Sequence, residues 1–272
     1  MKQIKLLLLL ASASVTGALA QSNGLTDMSQ SRFAKMANTG ISAVHWTDGF
    51  WGDRFQVFSR TSLQSMWNTW NAPEISHGFR NFEIAAGVCK GEHWGPPFHD
   101  GDMYKWMEGV ASVYAVNKDP ELDKLMDNFI TCVVKAQRAD GYIHTPVVIE
   151  ELNKGIDSHA LEDQHKQTVI GTKVGDENEK GAFANRLNFE TYNLGHLMMA
   201  GIVHRRATGK TTLFDVAVKV TDFLCHFYET ASAELARNAI CPSHYMGVVE
   251  MYRATGNPRY LELSKNLIDI RG

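Results

Sequence analysis

The sequence predicts an all-α protein built from stacked helical hairpins. Three observations carry that prediction: an internal repeat, the turn residues within it and the apolar periodicity of its helices. The repeat is visible in Gly109–Ile130 (GVASVYAVNKDPELDKLMDNFI), Ala200–Leu224 (AGIVHRRATGKTTLFDVAVKVTDFL) and Val248–Ile270 (VVEMYRATGNPRYLELSKNLIDI). Each segment reads as an apolar helix, a short polar turn and a second apolar helix. The turns are Asn117-Lys118-Asp119-Pro120, Thr208-Gly209-Lys210 and Thr255-Gly256-Asn257-Pro258. Gly closes a helix because it tolerates the left-handed backbone found there. Asp or Asn before Pro opens the next one, since the side chain caps the helix and Pro lacks only an N–H that would have no helical partner. In the second helix of the middle repeat, Leu213, Val216, Ala217, Val220, Phe223, Leu224 and Phe227 recur at helical spacing, with Lys219 and Asp222 off the stripe. A hairpin of this kind cannot bury its stripe alone. Its neighbours must stack on it, as an open solenoid or as a closed toroid whose inner helices ring a central pit. A ligand belongs at the ends of those inner helices.

Upstream of the repeats, Met1-Lys2-Gln3-Ile4-Lys5 precedes the apolar run Leu6–Leu10, and small residues end in Ala18-Leu19-Ala20 before Gln21. A charged start, an apolar run and an A-x-A site make residues 1–20 a secretory signal peptide. A membrane span needs about 20 uninterrupted apolar residues, and Ser12, Ser14, Thr16 and Gly17 interrupt this run. We therefore expect a periplasmic or secreted protein with no membrane partner. Residues 21–44 read as an N-terminal linker segment, and residues 45–272 as the helical domain. Asn71–Pro97 reads as irregular, because Pro73, Gly78, Gly91, Gly95 and Pro96-Pro97 punctuate it. Gly141–Arg186 is too long and polar for a simple turn, which suggests a functional rim. The chain stops at Arg271-Gly272, with nothing to cover the third hairpin's open side. Helical arrays finish with a polar cap, so a truncated domain is expected.

Composition excludes some functions. Acidic residues outnumber basic ones, 30 to 27, so the basic field that a nucleic-acid binder needs is missing. Cys89, Cys132, Cys225 and Cys241 form no C-x-x-C pair. Cys132 and Cys225 fall on apolar helical positions, where free buried thiols are expected. Six Trp, eight Tyr and 13 Phe are enough to stack against sugar rings.

Three short stretches carry candidate chemistry. In Phe189-Glu190-Thr191-Tyr192-Asn193-Leu194-Gly195-His196, a helix puts Tyr192 and His196 on one face, where both can reach sugar hydroxyls. Glu190, Asn193 and Leu194 share another face. In His99-Asp100-Gly101-Asp102, one aspartate is expected to cap the helix that follows, leaving the other for solvent or ligand. In Asp140-Gly141-Tyr142-Ile143-His144-Thr145, Gly141 is placed to end the preceding helix. Glycoside hydrolysis needs two groups flanking the bond. Asp102 and Glu190 are the carboxylates that context nominates, without defining a catalytic pair. The histidines His45, His77, His93 and His99 do not fall at metal-ligand spacing, so no metal site is read here.

At this point DGDMYKWMEG, AQRADGYIHTP, ETYNLGHLMMAGIVHRRATGK and VVEMYRATGNPRYLELSKNLIDIRG matter together. In order and spacing they resemble the N-terminal half of the catalytic domain of the β-L-arabinofuranosidase family of glycoside hydrolases, from about Trp46 to Gly272. The resemblance implies an (α/α) toroid, here incomplete at about half of an (α/α)6 barrel. It also implies retaining hydrolysis of arabinose-containing plant glycans, with a plant-derived arabinose-containing oligosaccharide as the partner. The family's chemistry uses a cysteine nucleophile in a zinc site and a separate glutamate acid/base, carried by E-T-C and C-C-P-x-N motifs. A metal-bound thiol is deprotonated outright, which suits a nucleophile. Neither motif occurs in this sequence, so zinc and the catalytic residues are expected beyond Gly272. This chain by itself brings no cofactor and should be inactive.

The positions carried over as substrate-binding candidates are Asp102, Glu190, Tyr192, His196 and His244. Two departures stand out. The family's H-E-x-Y-x-x-G-H begins here with Phe189, and its G-H-P-E-I-E appears as Ile240-Cys241-Pro242-Ser243-His244-Tyr245. Losing two donors to sugar hydroxyls is expected to alter which sugar fits. The alternative function is a non-catalytic carbohydrate-binding or scaffold half-barrel.

Overall fold

A computed structural model describes residues 24–156, 183, 186–230, 241 and 243–270. The proposed signal peptide, most of the polar stretch 141–186 and Pro242 lie outside the described residues. Among the described residues the secondary structure is helical, without a strand. The order is α1 (Gly49–Val57), a π-helical turn (Phe58–Ser62), α2 (Leu63–Asn71), α3 (Gly78–Ala85), α4 (His99–Asn117), α5 (Pro120–Ala136) and α6 (Thr145–Asn153). After a short 3-10 turn (Arg186–Asn188) come α7 (Glu190–Thr208), α8 (Thr212–Thr230), α9 (His244–Thr255) and α10 (Pro258–Asp269). No described helix is long and apolar enough to cross a membrane.

The three predicted hairpins are α4–α5, α7–α8 and α9–α10. Their turns follow the expected chemistry. Gly209 and Gly256 close α7 and α9 at φ 82° and 72°. Lys118 takes the same left-handed conformation at φ 55° at the end of α4. Asp119 and Asn257 each accept the backbone N–H two residues on, at 3.0 and 3.1 Å, with Pro next in line. Each such cap contributes about 1 kcal/mol.

Packing turns the hairpins into an arc. Helices α4, α7 and α9 lie side by side as the inner layer, with α5, α8 and α10 behind them, an incomplete (α/α) toroid. The predicted stripe of α8 is buried throughout, while Lys219 and Asp222 are exposed. Helix α7 is buried on nearly every side because neighbours flank it on three fronts. Glycines permit that crowding. A Cβ on Gly195 would come within 2.5 Å of the His244 nitrogen and the Ser243 carbonyl carbon. A Cβ on Gly247 would meet the Gly195 oxygen at 2.9 Å, so α7 and α9 touch backbone to backbone. All four cysteines are free, with Cys132 and Cys225 buried as expected.

Two short helices fall in stretches read as loops. Helix α3, inside Asn71–Pro97, spans eight residues, too few to show a period. It is held by tertiary burial, with Phe82 and Ala85 fully covered against α5 and α6. Helix α6 begins at Thr145, where its N-cap comes from another helix: Asp100 accepts from Thr145 N at 2.7 Å and from Thr145 Oγ1 at 2.6 Å. The expectation that Gly141 ends α5 is corrected. Helix α5 stops at Ala136, and Gly141, at φ 94°, sits in the following turn where the backbone presses on Lys219 of α8. The segment read as a linker is anchored at residues 24–27. Arg206 donates to the carbonyls of Gly24 and Leu25 at 3.1 and 2.8 Å, and Glu250 accepts Asp27 N at 3.1 Å.

Candidate active site at the N-terminal ends of the inner helices

Helices α4, α7 and α9 start at the same end of the arc, so His99–Asp102, Glu190–Asn193 and His244 gather there. Asn193 ties the first two together: it accepts Gly101 N at 2.8 Å and donates to Pro97 O at 2.9 Å. Gly101 is required at this contact, since a Cβ would lie 2.6 Å from both Asn193 Oδ1 and the Tyr192 ring.

A half-exposed polar row runs along the adjoining faces of α4 and α7. Lys105 pairs with Asp102 at 2.8 Å and donates to the Tyr192 hydroxyl. Tyr192 OH in turn lies 3.4 Å from Asp102 Oδ1. Burial pulls the Lys105 ammonium down, but its bonds to Asp102 and Tyr192 outweigh that, and its pKa is raised. The His196 ring meets Tyr192 edge-on at 4.7 Å, with Nδ1 3.7 Å from Glu108 Oε1. That gap is too long for a hydrogen bond, and neither atom has another partner. The row therefore offers a cation-held phenol, an imidazole and two carboxylates on one surface. Such a set can donate to and accept from several hydroxyls of one sugar.

Below the row lies a fully buried polar cluster. Burial pushes the Asp100 carboxyl up, but bonds from His144 and Thr145 overcome it and hold its pKa below the ordinary value. Asp100 is thus an anion that only accepts. Its Oδ2 lies 3.3 Å from His144 Nδ1, which also lies 3.3 Å from Asn193 Nδ2. His144 Nε2 is a buried atom with no partner. Glu190 is different. It accepts from Tyr142 OH and from Phe183 N at 2.7 Å, and burial still raises its pKa against the opposing effects of His144 and those two donors. Tyr142 and His144 are aimed inward by the turn before them, which Arg138 pins through Asp140 at 2.7 Å and Glu151 at 2.9 Å.

Of the predicted site residues, Asp102, Tyr192 and His196 come together in the row. Glu190 is placed behind them, turned toward Tyr142 and Phe183. His244 is fully buried, with its ring stacked on Tyr228 at 6.1 Å and packed on Tyr245 at 4.5 Å. Phe189 bridges Phe98 and Tyr192 at 5.3 and 6.1 Å, so an aromatic ring lines this rim. The sequence reading passed over Lys105, Glu108 and the Asp100–His144 pair. The spacing of Asp102, Lys105 and Glu108 along one helix face was the available signal for the first two. Asp100 caps a helix, but not its own: the expected N-cap of α4 is absent and the aspartate serves α6. Among the described residues no group of three or more His, Cys, Asp or Glu side chains is arranged to hold a metal ion.

An arc of helical hairpins with a polar, carboxylate-bearing row at one end of its inner helices is an incomplete (α/α) toroid with a candidate site for a polar ligand. Comparison with known proteins gives the family. Residues 43–272 match the family described as β-L-arabinofuranosidase, GH127 catalytic domain. The non-reducing end β-L-arabinofuranosidase of Bifidobacterium longum subsp. longum is 30% identical over 201 residues, covering 74% of this chain and 27% of that protein. A solved glycoside hydrolase is 69% identical with a TM-score of 0.64, over 92% of this chain and 30% of its own. Ara127N, a GH127 β-L-arabinofuranosidase from Geobacillus stearothermophilus T6, is 30% identical with a TM-score of 0.67, over 84% and 33%. The chain belongs to the GH127 β-L-arabinofuranosidase family of glycoside hydrolases, and it spans a third or less of the length of these relatives.

Proposed function

We propose that this chain supplies the sugar-gripping part of a retaining glycosidase that acts on terminal β-L-arabinofuranose of plant-derived glycans. The observation that carries this reading is the row of Asp102, Lys105, Tyr192, His196 and Glu108 on two inner helices of a GH127 toroid. Tyr192, fixed by Lys105, points a hydroxyl at a sugar oxygen, and His196 and Glu108 line the same face. His144 and Asp100, buried beneath the row, hold the start of α6 in place behind it. In this reading Glu190 orients Tyr142 and His244 shapes the floor. The described residues offer no donor set for zinc. In this reading the thiolate nucleophile, its zinc and the acid/base glutamate are supplied by E-T-C and C-C-P motifs, which do not occur in these 272 residues. Export through residues 1–20 would place the protein where such glycans are met.

Calorimetry with methyl β-L-arabinofuranoside tests the reading. We expect saturable binding without sugar release, weakened about tenfold by Tyr192→Phe or His196→Ala, the loss of one hydrogen bond to a polar ligand. Absence of binding, or wild-type affinity in both variants, overturns it. Sugar release by this chain alone overturns the assignment of the chemistry to other residues. Lack of release by a longer chain carrying both cysteine motifs favours the carbohydrate-binding scaffold instead.

A further inference from the structure

Next to the row, the loop between α3 and α4 presents a second group of side chains that the reading above leaves unused. Asn81 of α3, fully buried, accepts Trp94 N–H at 3.2 Å and donates to Trp94 O at 2.9 Å. A side chain with no exposure thereby fixes the backbone of a residue that is itself 49% exposed. A half-exposed aromatic ring on a pinned backbone presents a flat apolar face that a ligand can cover. His77 packs against that indole with ring centres 4.9 Å apart. His77 Nδ1, His93 Nε2 and His99 Nδ1 are buried atoms without a hydrogen-bond partner. Burial, with the neighbouring His144, His99 and His77 and against Asp100, lowers the His93 pKa to about 4, so its ring is neutral in mildly acidic and neutral solution. A neutral imidazole offers one donor and one acceptor. The group is also continuous with the row, because His99, Phe98, Phe189 and Tyr192 form an edge-to-face run at 6.0, 5.3 and 6.1 Å.

We propose that Trp94, with His77, His93 and His99, forms a second saccharide subsite that takes the sugar next to the ring gripped at Tyr192 and His196. The indole covers the C–H face of that second ring, and the imidazole nitrogens meet its hydroxyls. The ligand is then at least a disaccharide. This proposal rests on the arabinofuranose reading of the row.

Calorimetry on the same chain separates the two. Wild type is expected to bind a β-L-arabinofuranosyl disaccharide about tenfold more tightly than methyl β-L-arabinofuranoside. Trp94→Ala should erase that advantage and leave the monosaccharide affinity unchanged, which also shows that the variant folds. Trp94→Phe should keep part of the advantage. If wild type shows no advantage, or Trp94→Ala keeps it, the second subsite is overturned while the row stands. If Trp94→Ala loses both ligands, Trp94→Phe decides: a reduced advantage at unchanged monosaccharide affinity supports the subsite, and equal losses overturn it. If wild type binds neither saccharide, the reading of the row falls and the subsite with it.

Discussion

Two buried polar networks sit in different parts of this molecule, and they are built on opposite terms. Toward the far end of α7, Arg206 meets Glu250 of α9 at 3.3 Å, with side chains only 4% and 2% exposed. Arg253 also donates to Glu250, and the backbone of residues 24–27 takes up Arg206 N–H groups and a Glu250 oxygen. Charge meets charge, and backbone completes both shells. Removing two ions from water is tolerated only with such completion. At the start of α4 and α7 the network is left open. Asp100 is satisfied, but His144 ends in an unpartnered nitrogen, and Glu190 is held where its charge is disfavoured. A buried polar group without a protein partner costs stability until water or a ligand satisfies it. The closed network ties α7, α9 and the N-terminal segment together, and the open one lies beside the row to which the proposed function assigns the sugar.

That contrast can be broken by mutation. Glu250→Ala strands the buried Arg206 guanidinium and should cost about 3–5 kcal/mol in denaturant titration. Arg206→Met with Glu250→Met should recover most of it, because the one charge left without its partner, Arg253, is 30% exposed and can turn to water. A single-variant loss below about 1 kcal/mol would mean the pair is no more than a surface contact.

The next effect is one of pH. His204, fully buried on α7, has its pKa lowered to about 4, first by burial and then by Lys210, with Asp127 and Asp123 opposing. Its folded pKa lies below the ordinary 6.5, so the unfolded chain binds the proton first as pH falls. Stability is complete above pH 6.5 and declines toward pH 4, by on the order of 3 kcal/mol for this group. His93 adds a decline of the same sign. His204→Leu should flatten the melting-temperature profile between those values, and an unchanged slope would remove His204 from the account. Asp100 acts lower: with its pKa depressed, its contribution is present above the ordinary carboxyl value and is lost as pH falls below it.

Gly195→Ala sharpens the comparison from the packing side. Its Cβ would press on the backbone of α9, and we expect a loss of about 1–3 kcal/mol by thermal or chemical melting. The smallest effect belongs to the open end. Tyr192→Phe and His196→Ala, at half-buried positions, should each cost about 1 kcal/mol or less, while carrying the weakening of sugar binding. A large loss of stability in either would make the row structural.

Much of this was legible in the residues. The three hairpins, their Gly, Asp-Pro and Asn-Pro turns, and the buried stripe of α8 depend on partners two to seven positions away, and the chain states those partners directly. The pairing of Tyr192 with His196 on one face follows from the same four-residue spacing. What only the tertiary structure decided are contacts across long separations. Asp100 caps α6 from 45 residues away, Tyr142 reaches Glu190 across 48, and Asp27 docks on Glu250 across 223. Helices α3 and α6 belong to this second class, because their few residues are ordered by what packs on them. Local propensity acts within a turn or two of helix. The position of a distant carboxylate is set by the whole arc, and no short window of sequence contains it.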